Sequence, residues 1–179
     1  MNQNELDILR YPIGKYKAPT TISSADVAEW IKTIEDLPAK LRRLVSGLSD
    51  EQLDTPYRPG GWTIRQVVHH IPDSHANSYV RFKWTLTEDK PTIKAYHEDR
   101  WAELPDSFGP IDSALNLLDA IHIKWLIILK SLTKDDLKKS FIHPESGRET
   151  FLDWNIGLYA WHCNHHYAHI ANLKKQKGW

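Results

Sequence analysis

From Leu158 to Lys177 the chain runs without a proline or glycine, and its centre reads Tyr159-Ala160-Trp161-His162-Cys163-Asn164-His165-His166-Tyr167-Ala168-His169. Such a run of helix formers predicts a helix, and four of the chain's ten histidines fall on it at offsets i, i+3, i+4 and i+7. At 3.6 residues per turn those offsets share one face, within an arc of about 100°. Imidazoles four residues apart on a rigid helix can reach one metal ion, as in the His pair of the metalloprotease helix motif. A histidine-rich surface or a set of hydrogen-bonded core histidines would give the same spacing. Four on one stripe, continued by Tyr159 and Ile170, favour a metal site. Two imidazoles from one helix do not complete such a site, so the chain must pack this helix against another that supplies a third.

The rest of the sequence offers partners of the right kind. Thr21-Ile22-Ser23-Ser24-Ala25-Asp26 supplies N-cap candidates for a helix running to about Gly47, with Val27, Trp30, Ile31, Ile34, Leu37, Leu41, Leu44, Val45 and Leu48 at helical spacing and Pro38 inside it. Ser49 to Leu53 reads as a brief helical turn and Thr55 to Gly61 as a tight loop. Thr63 caps a second helix reaching about Thr87, interrupted by Pro72. A third begins near Asp112-Ser113 and is the most apolar, with His122 as its odd polar residue. Phe141 to Thr150 predicts a small hairpin, and the histidine helix spans about Phe151 to Gln176. The start, to about residue 22, holds Tyr11-Pro12-Ile13-Gly14 and Pro19 and predicts an extended arm rather than a helix. The link from Glu88 to Pro110, rich in Pro, Asp and aromatics, is long enough to imply a function or a wrap around the body. The expectation is all-α: a four-helix bundle with an extended N-terminal arm and a small hairpin before the last helix, as one domain over residues 1–179.

Composition narrows the function. Lys+Arg and Asp+Glu both number 23, so a basic surface for nucleic acid or anionic lipid is disfavoured. No apolar stretch approaches a membrane span, and the polar, acidic Met1–Arg10 lacks the apolar run of a secretory leader. The single Cys163 precludes an internal disulfide and suits a reducing compartment, so a cytoplasmic location is expected. Eight tryptophans imply large aromatic walls, in the core or around a pocket.

On the second helix, residues 64, 67, 71 and 74 face the core. His70 lies beside that stripe, whereas His69 points about 100° away, toward the surface or rim, and His75 also lies off the line. His70 is therefore the leading third ligand, ahead of His122 on the third helix. On the last helix His162 and His169 stand about 10 Å apart along the axis and cannot share an ion. The pairs 162/165, 162/166, 165/169 and 166/169 stay open on spacing alone.

Gly60-Gly61-Trp62-Thr63-Ile64-Arg65-Gln66-Val67-Val68-His69-His70, then Asp73-Ser74-His75, Arg81-Phe82-Lys83, Trp101-Ala102-Glu103-Leu104, His122 with Trp125, and Leu158-Tyr159-Ala160-Trp161-His162 resemble the DinB-like superfamily, in particular its YfiT-like branch of metal-dependent hydrolases. The resemblance spans nearly the whole chain. It implies a bundle holding one divalent metal ion per chain, zinc or nickel, on His70, His162 and His166, and a homodimer. Pro72 and Cys163-Asn164 depart from the family pattern without touching that ligand set.

Three histidines with an open coordination position can activate a water, or bind a thiol as thiolate. Cys163 stands where the zinc-peptidase motif has its general-base Glu, which disfavours a peptidase. Asp73, one turn after His70, is a candidate orienting group or base, and Arg81 a candidate clamp for a substrate carboxylate. Tyr159 could donate to a substrate and His122 serve as a supporting group or base, whereas His165 and His169 fall beside or behind the ligands. The expected function is hydrolysis of a small-molecule substrate. Transfer of a low-molecular-weight thiol such as bacillithiol is the rival, and a non-catalytic metal-binding stress-response protein is the alternative of a different class. Since histidines coordinate as neutral imidazoles, metal affinity is expected to fall below about pH 6.5.

Overall fold

The fold is given by a computed structural model that describes residues 2–179. Contrary to the extended arm expected there, α1 spans Gln3–Arg10. Asn2 and Glu5 form a reciprocal capping box, and the punctuation that argues against a helix begins only at Tyr11. After a turn at Tyr11–Gly14, residues 15–22 run without helix or strand, and this arm crosses α7, the final helix (Leu152–Lys177). Tyr16 Oη donates to Trp154 O at 3.3 Å, and Trp161 Nε1 donates to Gly14 O at 3.0 Å. This crossing requires Gly157: a Cβ there would stand 2.3 Å from Tyr16 Oη.

The bundle is built from α2 (Ser24–Val45), α4 (Ile64–Thr87), α6 (Ile111–Ser131) and α7. Each of α2, α3 (Asp50–Leu53) and α4 begins with a capping box, on Ser23, Ser49 and Thr63. Helix α2 packs on α6 and α7, and α4 packs on the same two, so α2 and α4 lie diagonally across the bundle. The α4–α7 seam is the loosest of the four. Ile34, Leu41, Leu118, Trp125, Ile156 and Ile170 are completely buried in the shared core. Each such side chain contributes about 1.5–3 kcal/mol.

The hairpin pairs β1 (Ser140–Ile142) antiparallel with β2 (Glu149–Phe151), with Phe141 opposite Thr150. The 88–110 link is tied to it by a parallel bridge between Thr92 and Ile142, then forms α5 (Glu98–Trp101) and a 3₁₀ turn at Pro105–Phe108. That turn covers the outer side of α4, which is why every residue from Ile64 to Pro72 is buried. Arg65 fastens the cover: it pairs with Asp54 at 2.6 Å and Asp50 at 2.7 Å and donates to Gly109 O at 3.1 Å. His69, expected at the surface or rim, is only 8% exposed and lies with Nε2 3.3 Å from Gly109 O. The helical wheel placed it outward correctly; the covering link is what buries it. No described helix is long and apolar enough to cross a membrane.

Candidate metal centre

Helices α4 and α7 meet through histidines. His162 and His166 project from successive turns of α7 toward His70 on α4, and ring nitrogens of all three lie within 4.8 Å of one another. His70 Nε2 and His162 Nε2 are 3.2 Å apart. Two nitrogens bound to one zinc at about 2.0–2.1 Å in tetrahedral geometry would be separated by roughly 3.3 Å. Trp62, delivered by the Gly60-Gly61 turn, packs against His70 at 4.6 Å between centroids and closes one side.

Burial decides the protonation state. His70 is pushed down to about 4, by burial first and then by repulsion from His169. His162 and His166 are held well below the ordinary histidine value, again by burial and then by the neighbouring imidazoles. All three are neutral at physiological pH, the form that donates a lone pair to a cation. The threshold near pH 6.5 expected from isolated histidines therefore moves to lower pH.

The tautomers follow from the hydrogen bonds. His75 Nε2 is 3.2 Å from His162 Nδ1, and His75 Nδ1 is 2.7 Å from His122 Nε2. For His162 to present a bare Nε2, its proton must sit on Nδ1 and be donated to His75. His75 then donates from Nδ1 to His122 Nε2, and the His122 proton resides on its own Nδ1. That nitrogen is buried near the Ile34 carbonyl and makes no hydrogen bond. One directional chain of imidazoles thus fixes the ring of His162, as partners behind metal-binding histidines do. Donor type, spacing and neutrality fit a divalent cation, and the hydrogen bonds allow the tautomer that it requires.

His165, His166 and His169 form a second group within the same 4.8 Å limit. It lies on one helix alone. His165 stacks on Trp161 at 4.3 Å, His169 stacks on Tyr57 at 3.9 Å, and His169 Nε2 donates to Arg10 O at 3.1 Å. The group that joins two helices is the stronger candidate, and it opens to a cavity of about 610 Å³ that all five of these histidines line.

Among the other residues singled out from sequence, Tyr159 and Arg81 line the cavity. Tyr159 Oη donates to Ser74 O at 3.1 Å and accepts from Ser74 Oγ at 3.3 Å. Tyr96 lines the same cavity, and the pKa of its phenol is pushed up, chiefly by burial. Asp73 and His122 do not line the cavity. Asp73 is raised to about 6 by burial and then by Asp106, on the covered side of α4, and has no hydrogen bond to an imidazole. His122 touches the three-histidine group only through His75. Cys163 is buried in the core, its thiol pushed up by burial and away from a nucleophile's range.

His75 is the residue that sequence reasoning passed over. Its signal was present: Ile71, His75, Ser78 and Phe82 form a buried stripe on α4, and Leu118, His122, Trp125 and Leu129 form one on α6. A lone histidine on each of two facing core stripes is a sign of paired imidazoles.

Comparison with known proteins gives the same fold and places the chain among relatives. A family model described as the DinB superfamily matches residues 27–170. A Bacillus mycoides (strain KBAB4) protein named "Putative metal-dependent hydrolase" is 56% identical over 171 residues, 96% of this chain and 98% of its own length. A solved structure described as "YfiT from Bacillus subtilis is a probable metal-dependent hydrolase with an unusual four-helix bundle topology" superposes with a TM-score of 0.93 at 47% identity, covering 96% of this chain and 99% of that one. A mycothiol-dependent maleylpyruvate isomerase shares the fold at a TM-score of 0.61 and 14% identity, over 82% of this chain and 63% of that one. With the matched region spanning the helices that carry the histidines, the chain belongs to the DinB superfamily.

Proposed function

We propose that this protein is a metal-dependent hydrolase in which His70, His162 and His166 hold one divalent ion, zinc or nickel, facing a small-molecule substrate in the cavity. The observation that carries this reading is the 3.2 Å approach of two neutral Nε2 atoms from separate helices, with His166 completing the group. The names of the closely similar Bacillus proteins support it. The chemistry such an ion supplies is Lewis acidity, which polarises a substrate oxygen and makes a water or thiol acidic near neutral pH.

The chain's own residues do the rest. His75 orients His162. Trp62 and Trp161 shield the imidazoles, and Tyr159, its proton committed to Ser74 O, presents a fixed phenol oxygen to the cavity. Asp73 and His122, weighed as bases from sequence, have no path to the cavity except through other side chains. The carboxylates that line it are Glu98 and Asp99 on the short α5 and Glu145 in the hairpin turn, all exposed.

One observation favours a second reading, transfer of a low-molecular-weight thiol. No carboxylate among the described residues is hydrogen-bonded to the three-histidine group, and the carboxylates that line the cavity are exposed rather than held in place. A thiol held by such an ion would need no protein base, since coordination favours the thiolate. The outer face of α6, with Ile123 at 66% and Ile127 at 68% exposure beside Leu117, is the surface we assign to a homodimer.

The test is a paired screen of protein reconstituted with zinc or nickel. Cleavage of esters or amides that drops at least a hundredfold in His70→Ala supports the hydrolase. Turnover only of a thiol with an electrophile supports the transferase. Metal that raises the melting temperature without turnover in either panel would leave a binding protein.

A further inference from the structure

Helix α4 carries a second polar group on the face of His70. Ser74 and Arg81 lie four and eleven residues further on, within about 40° of His70 around the helix axis, and all three line the same cavity. Arg81 sits roughly 16 Å along the axis from His70, and its side chain leans back toward the helix N-terminus. Ser74, hydrogen-bonded to Tyr159, lies at the level between them, and Tyr96 lines the same cavity.

Arg81 is notable for what it does not hold. Its Nε is buried without a hydrogen-bond partner. No ion pair among the described residues includes it, and it stacks on no aromatic ring. Arg65, on the same helix, shows how this fold treats a buried guanidinium that serves structure alone, since two carboxylates and a backbone carbonyl hold it. The other cavity arginines are engaged. Arg58 donates to Tyr57 Oη and Pro59 O, and Arg10 lies over the Tyr11 ring. An unpaired buried donor is costly unless a ligand supplies the acceptor, and the guanidinium fork matches a carboxylate in shape and charge.

We propose that Arg81 is the anion subsite of this cavity: it takes the carboxylate end of an elongated substrate whose reacting end lies against His70, His162 and His166. The proposal rests on the metal-centre reading for the position of that reacting end. A carboxylate is favoured over a phosphate because only one of the three arginines lining the cavity is without a partner among the described residues, and Glu98, Asp99 and Glu145 line it too, with charges that oppose a dianion. Short uncharged esters would then be poor substrates, and ω-carboxylated ones of sufficient length good ones.

Two titrations test this. In metal-free protein, hexanoate and 1-hexanol are titrated while the Arg81 Nε–H resonance is followed, assigned by its loss in Arg81→Gln and Arg81→Lys. In zinc-loaded protein, affinities are measured for ω-mercaptocarboxylates of three to eleven carbons and for the matching mercaptoalcohols. The expected results are a saturable Nε–H shift with hexanoate alone, and a carboxylate preference of about tenfold or more at one chain length. That preference should vanish in Arg81→Gln. Equal affinities for acids and alcohols throughout, or a preference that survives in Arg81→Gln, would overturn the proposal. A hexanoate response in metal-free protein, with mercaptocarboxylates binding no more tightly to zinc-loaded than to metal-free protein, would leave the anion subsite standing and sink the metal centre instead.

Discussion

Two seams of the same bundle are built on opposite terms. Where α2 meets α6, Ile34, Leu41 and Leu118 are fully buried and the ion pairs stay at the edge, as in the Arg42–Asp119 and Lys130–Glu35 pairs. Where α4 meets α7, the buried positions carry His70, Ser74, His75, Ser78, Asn155, Tyr159 and His166. The first seam is closed by apolar contact and asks nothing of a ligand. The second keeps neutral imidazoles whose bare nitrogens have no better partner than one another, and it stands beside a cavity. The contrast separates the part of the fold that supplies stability from the part that gives some of it up for a site.

Breaking the polar seam should produce the largest effect. His162→Ala or His166→Ala should weaken zinc or nickel binding by on the order of a thousandfold, about 4 kcal/mol, in a chelator competition assay. Leu41→Ala, in the apolar seam, should cost about 2–5 kcal/mol of unfolding free energy in denaturant and leave metal affinity unchanged. A matching loss of metal affinity there would mean that the two seams are not separable.

Acid should distinguish the seams in one molecule. A histidine whose folded pKa lies below its unfolded value favours the folded state above pH 6.5, and that contribution is lost as pH falls toward the folded value. With His70 at about 4, metal-free protein should lose roughly 3 kcal/mol between pH 6.5 and 4 from this residue alone, seen as a falling melting temperature. A His70→Leu variant should show a flatter profile. His75→Ala should lower metal affinity tenfold to a hundredfold by freeing the His162 ring. A cobalt-substituted protein should report the altered geometry in its visible spectrum, and an unchanged spectrum and affinity would remove His75 from the account.

The smallest effect belongs to Asp73, on the covered side of α4. Its folded pKa of about 6 exceeds the unfolded value, so its charged form opposes folding above that pH and not below about 4. Asp73→Asn should therefore add about 1 kcal/mol at pH 8 and nothing at pH 3.5, with metal content unaffected. A loss of metal on this substitution would restore the orienting role considered from sequence.

How much of this could be read from the chain alone follows from what each feature depends on. The four long helices were legible because their apolar spacing and caps are local, down to Thr63 as an N-cap and a run of candidates that includes Ser23. The face carrying His162 and His166 was legible for the same reason. Helix α1 is not expected from the sequence because Pro12, Gly14 and Pro19 follow it closely, while its own signal, the Asn2–Glu5 capping box, is short. His69 was misplaced because its burial is produced by the 3₁₀ turn at 105–108, distant in sequence. The His75–His122 bond joins α4 to α6, and periodicity within one helix carries no information about which residue faces it across a seam.

The central claim is that three imidazoles from two helices share one cation, and metal content measures it most directly. Untagged wild-type protein and His70→Ala, both shown folded by circular dichroism, are equilibrated with zinc or nickel, dialysed and assayed by elemental analysis. The account predicts about one ion per wild-type chain and close to none in His70→Ala. Wild-type protein without stoichiometric metal, or a variant that retains the full complement, would contradict it.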